Sequence, residues 1–109
     1  MPSTLFASME KKAKQAADNA TKELAATLTT MFRDHLRTSG VPPSEVRQCS
    51  IIHDNGSYVA SLTPKVQDMD LGTQDQPPMG LTTRFFNRLD VPKMHRTVLL
   101  KSVKKAGLA

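Results

Sequence analysis

Leu5, Met9, Ala13, Ala16, Ala20, Leu24, Leu28, Met31 and His35/Leu36 recur three or four positions apart. That is the spacing of one face of an α-helix. Ser3 or Thr4 can cap such a helix, and no Pro or Gly interrupts the chain from there to Ser39. Glu10–Lys14 and Asp18–Lys22 place an acid four residues before a base, which supports helix. The pattern predicts one helix over about 4–39, about 50 Å long. That is longer than a domain of this size covers. A break near Asp18-Asn19 would give two shorter helices instead, and a frayed N-terminal arm is a further alternative. The first half of the apolar face is Ala13, Ala16, Ala17 and Ala20, which permits close approach of another helix. Gly40 can take the left-handed cap, and Pro42-Pro43 prevent continuation.

The periodicity then changes. Val46 to His53 and Ser57 to Thr63 are β-prone and flank Asn55-Gly56, the strongest short signal for a hairpin. Cys49 and Ile51 share a face with Arg47 and His53, as Tyr58, Ala60 and Leu62 share one on the second strand. Neither strand is wholly apolar, so the hairpin needs a helix on its buried side. "KVQDMDL", after Pro64, reads as a third short strand or as plain loop. Leu81, Phe85, Phe86 and Leu89 form an apolar stripe on a short helix. Asp90 then caps another, with Pro92 in its first turn, Met94, Val98, Leu99 and Val103 facing inward, and Gly107 as its stop. The sum is one α+β domain over 1–109. It has the long helix, a sheet region at about 45–71, a loop at 72–80 and C-terminal helices at about 81–106.

Composition thins the expected core. Only 39% of the 109 residues are hydrophobic, 5% are aromatic, and there is no Trp. Many apolar positions are Ala or Met, so neighbours in an assembly are expected to add stability. The single Cys, Cys49, allows no internal disulfide and no multi-Cys metal site. No segment approaches the roughly 20 apolar residues of a membrane span, and the N-terminus does not read as a secretory signal. Residues 1–90 hold ten Lys/Arg and ten Asp/Glu. The whole excess of +5 therefore lies in Lys93, Arg96, Lys101, Lys104 and Lys105. This basic patch suits phosphate or an acidic neighbour. It equally suits a solvated helix end, whose cations complement the negative pole of the helix dipole.

Candidate chemistry is sparse. His35, His53 and His95 fall on different elements, whereas a zinc site needs three or four converging ligands. Cys49 and His53 share a strand face but lie too far apart for a nucleophile–base hydrogen bond. Asp68, Asp70 and Asp75 lack the spacing and closing Glu of a calcium loop. Gly72 and Gly80 open no phosphate-cradling turn. No catalytic residue, metal or cofactor is expected. The stretch "DLGTQDQPPMGL" is left as a ligand loop, a subunit-contact loop or an ordinary connection.

The order of these pieces resembles the small neck and tail-completion proteins of long-tailed bacteriophages. The resemblance is carried by the Ala-rich charged helix to Ser39, "VPPSE", "GSYVASL", Asp70-Leu71-Gly72-Thr73, "QPPMGL" and the two closing helices. It implies a structural virion protein, not an enzyme, assembled in the host cytoplasm as a homo-oligomeric ring at the head–tail junction. The implied partners are portal, adaptor, tail-tube or tail-terminator proteins, with DNA in the channel lumen and no membrane. Asp70, Gly72, Thr73, Pro77, Pro78 and Met79 are then candidate subunit contacts. Ala16 and Ala20 join them, as small residues suited to side-by-side packing. The alternative is a small basic DNA- or RNA-binding protein using the C-terminal Lys/Arg segment. A third reading is a cytosolic adaptor whose long helix pairs with another chain.

Overall fold

A computed structural model describes residues 3–70 and 80–108, with side chains from residue 8 onward. The protein is α+β. A long helix α1 (Ser3–Thr38) is followed by a short helix α2 (Pro43–Val46) and an antiparallel hairpin of β1 (Ser50–Asp54) and β2 (Ser57–Ser61). Helices α3 (Pro64–Asp70), α4 (Leu81–Asn87) and α5 (Val91–Lys105) complete it. The chain divides into two compact units, residues 1–24 with 91–109 and residues 25–90.

α1 is unbroken, as the lack of Pro and Gly predicts. It ends where expected. Gly40 adopts φ +90°, Gly40 N–H donates to the Arg37 carbonyl and Val41 N–H to that of Leu36. These two bonds satisfy carbonyls that the helix end would leave orphaned, and a side chain at Gly40 would be strained in that conformation. Val41 and Leu36, joined by the second bond, are both buried. Pro42 then turns extended, and Pro43 opens α2 at a position where its missing N–H costs nothing.

In the unit formed by residues 25–90, Leu28, Phe32 and Leu36 are buried on α1 at intervals of four. They share a core with Val46, Cys49, Ile51, Val66, Leu81 and Phe85. Phe32 meets Phe85 edge-on, with ring centroids 5.0 Å apart, an arrangement aromatic pairs favour beyond simple burial. The expected face placed Met31 inward. Met31 is instead 37% exposed and Phe32 fully buried. Both fit a three-or-four spacing from Leu28, and the larger apolar side chain takes the interior.

The hairpin has the predicted turn, with Asn55 and Gly56 both at positive φ. Its register pairs Ile51 with Ala60 and His53 with Tyr58, so these four share a face as expected, while Arg47, Cys49 and Leu62 lie outside the two strands. A two-stranded sheet is marginal alone, and α1 supplies the missing partner. The Thr29 hydroxyl accepts from Ile51 N–H (2.9 Å) and donates to the Ile51 carbonyl (3.2 Å). One turn on, Arg33 donates to the carbonyls of Cys49 (2.9 Å) and Arg47 (3.1 Å). Two side chains thus satisfy the outward backbone groups of Ile51 in β1 and the carbonyls of the segment leading into it. A third strand was one of the readings of "KVQDMDL"; its described residues, up to Asp70, are neither strand nor loop but helix α3, and Leu71 lies outside the described residues. Its start is local. The Thr63 hydroxyl accepts from Val66 N–H (3.3 Å), and Pro64 occupies the first helical position. Val46, expected in the first strand, ends α2 instead.

In the other unit, Ala16, Ala20 and Leu24 are buried on α1. The Ser102 hydroxyl of α5 donates to the Ala16 carbonyl at 2.7 Å, an approach that a larger residue at 16 would block. Met94, Val98, Leu99 and Val103 are only half-buried, and no residue of α5 is fully buried.

Ala16→Leu and Ala20→Leu are each expected to lower the free energy of unfolding by about 1–3 kcal/mol, the usual cost of overpacking. The urea midpoint of the isolated chain measures this, and an unshifted midpoint would show that the stripe is not engaged within the molecule.

Candidate functional site

Two places gather polar side chains, one in each unit. The first is a solvent-open groove of about 610 Å³. α1 lines it with Lys12, Gln15, Ala16, Asn19 and Glu23, and α5 with Lys101, Ser102, Lys105 and Ala106. The α1 residues recur at three- and four-residue steps, so they share one side of the helix. The Ser102–Ala16 bond holds the two walls together. Three lysines and one glutamate line it, and its floor is small residues. Residues 1–24 and 91–109 hold nine Lys/Arg against three acids, while residues 25–90 hold six against seven. The basic excess therefore belongs wholly to the unit that carries the groove.

The second is a hollow of about 480 Å³ lined by Met31, Asp34, His35 and Thr38 of α1 with Phe85, Arg88 and Leu89. His35 is its centre. Its Nε2 lies 3.0 Å from the Leu81 carbonyl and its Nδ1 lies 2.8 Å from an Arg88 guanidinium nitrogen. A carbonyl only accepts and a guanidinium only donates. The imidazole is therefore neutral, with its proton on Nε2. Burial is the main cause that lowers its pKa below the usual range, and the charges of Arg88 and Arg84 act in the same direction. The bond to Leu81 works the other way.

Beside this hollow, Asp70 closes a loop at its base. Its Oδ1 accepts from Thr82 N–H at 2.7 Å and so caps α4 from twelve residues away. Gly80 precedes α4 with an ordinary φ of −60°. Here glycine is required for space, since a Cβ would fall on the Asp70 carbonyl oxygen and 2.9 Å from Oδ1.

The sequence-predicted residues divide accordingly. Ala16 and Ala20, expected as contacts between subunits or with another chain's helix, are 2% and 0% exposed within this chain. Their small side chains are covered by the chain's own packing. Asp70, expected at a subunit contact, is committed to Thr82. Gly72, Thr73, Pro77, Pro78 and Met79 lie outside the described residues. Of the basic patch, Lys101 and Lys105 line the groove, while Lys93, Arg96 and Lys104 are exposed on α5 away from it. Lys12 was missed. It sits four residues before Ala16 on the buried face's flank, and only the return of α5 makes that position part of a site. Among the described residues no three of His, Cys, Asp or Glu converge as metal ligands, and no helix is long and apolar enough to cross a membrane. In comparisons with known proteins, no family model, no curated protein and no solved structure matches the chain.

Asp70→Ala is expected to cost about 1 kcal/mol as a lost cap, and Gly80→Ala about 1–3 kcal/mol by overpacking against Asp70. Equal stability of Gly80→Ala and the parent in thermal unfolding would show that no such closure exists. For His35, the folded state disfavours the proton that the unfolded chain accepts near its ordinary value of about 6.5. Its contribution is complete above that pH and is lost as pH falls through the lowered folded value. His35→Gln keeps a donor for Leu81 and removes the titration. Its unfolding midpoint should therefore change less than the parent's between about pH 7 and pH 5, and parallel pH profiles would refute the neutral assignment.

Proposed function

We propose that the chain is a structural protein that acts by offering surface to copies of itself and to neighbours, not by catalysis. We propose further that the assembly is the neck or tail-completion ring of a long-tailed bacteriophage, built in the host cytoplasm and carried in the virion. Portal, adaptor, tail-tube or tail-terminator proteins are its partners in this reading. The observation that carries the assembly role is α5. Fifteen residues of helix bring no fully buried side chain, and Leu100 is 59% exposed. On α1, Met9 is 50% exposed. A unit with so little cover of its own gains most from neighbours.

The identity of the assembly rests on the resemblance in the sequence. Part of the element order supports it: a long helix, a Pro-containing turn, an antiparallel hairpin and two closing helices after the Pro-Pro segment, with α2 and α3 as additions. The ends of the segment between Asp70 and Gly80 are tied through Thr82. Tying those ends reduces the ordering entropy that Pro77-Pro78 and Met79 lose when they dock on a neighbour.

Immunogold labelling of purified particles of the encoding phage tests this reading. Label is expected at the head–tail junction. Particles that carry no copy of the chain, by labelling and by mass spectrometry, would end the assignment.

A further inference from the structure

We infer that the groove between α1 and α5 binds the phosphodiester backbone of nucleic acid, with Lys12, Lys101 and Lys105 as its phosphate contacts. The inference rests on the groove alone and stands or falls independently of the virion assignment.

Three observations carry it. First, the three lysines come from two helices and face one open groove, in the unit that holds the chain's entire positive excess. Clustered cations with nothing but Glu23 to offset them concentrate a negative ligand. Second, the cations are all lysine. A lysine ammonium is a compact point charge on a flexible stem that binds phosphate without fixing its orientation, which suits a backbone held without regard to sequence. Third, the floor is Ala16 and Ala106. An acidic protein segment docking there would bury little apolar area, and a phosphate chain needs none. Among the described residues the same surface contains no aromatic ring, so none of them offers a base a ring to stack on. Gln15, Asn19 and Ser102 add neutral polar groups along the path. The ligand is therefore held by its backbone without regard to sequence. Lys12 and Glu23 are eleven residues apart on α1, about 16 Å of helix, a length passed by about five phosphates of one strand. The groove thus has room for all three lysines to engage one strand, free or within a duplex.

The test is fluorescence anisotropy of the full chain with a labelled duplex DNA of arbitrary sequence and a labelled single strand, across roughly 50–200 mM salt. The expected slope of log K against log salt is about −2.7 for the duplex and about −2 for the single strand. The groove triple Lys12→Gln, Lys101→Gln, Lys105→Gln is expected to weaken binding at least tenfold. The control triple Lys93→Gln, Arg96→Gln, Lys104→Gln removes the same charge from the outer side of α5 and is expected to bind within about threefold of the parent. Glu23→Gln is expected to tighten binding, an outcome misfolding cannot imitate. Equal weakening by the two triples would reduce the effect to bulk charge and overturn the site. So would absence of salt-sensitive binding, or tighter binding of a labelled polyglutamate than of either nucleic acid, which would make the groove an acidic-protein site.

Discussion

A single helix must satisfy two packing problems, and most of the structure follows from that constraint. α1 buries a residue at every fourth position from Ala16 to Leu36. The first members, Ala16 and Ala20, are small, and in their unit a hydroxyl of α5 reaches the α1 backbone itself. The later members, Leu28, Phe32 and Leu36, are large and fill a core with the hairpin and the short helices. The change from small to large side chains along one stripe is therefore a change from close helix contact to side-chain interdigitation. Beside this stripe, Thr29 and Arg33 use the same helix to bond the backbone of β1 and the segment before it.

What was legible in the sequence was local. Gly40 before Val41-Pro42, Asn55-Gly56 between β-prone runs, and Pro92 after Asp90 each specify a turn or an end through the conformations their own residues allow. These gave the long helix, the hairpin and the C-terminal helices. The signal for α3, Thr63-Pro64 as cap and first residue, was equally local but was outweighed by the β-prone run before it. Met31 and Phe32 illustrate a different limit. Helical spacing admits both after Leu28, and only the ring of Phe85 across the core decides between them.

The site residues were less legible because their partners are distant in the chain. An alanine stripe announces close approach but not what approaches, and at Ala16 a hydroxyl of the chain's own α5 does so. Asp70 and Gly80 reveal nothing of their contact until the backbone folds back. Lys12 becomes a groove residue only beside Lys101 and Lys105. Net charge did point to the C-terminal segment, yet it could not separate the lysines that face a groove from those that face solvent. Both the cationic groove and the half-covered α5 offer surface.

The claim that one helix serves two packing units is tested most directly by native-state hydrogen exchange resolved along α1. Amides of residues 28–36 are expected to exchange only with global unfolding, since their side chains sit in the filled core. Amides of residues 12–24 are expected to exchange sooner and in step with those of α5, since no α5 side chain is fully buried. Uniform protection along the whole of α1, uncoupled from α5, would contradict it.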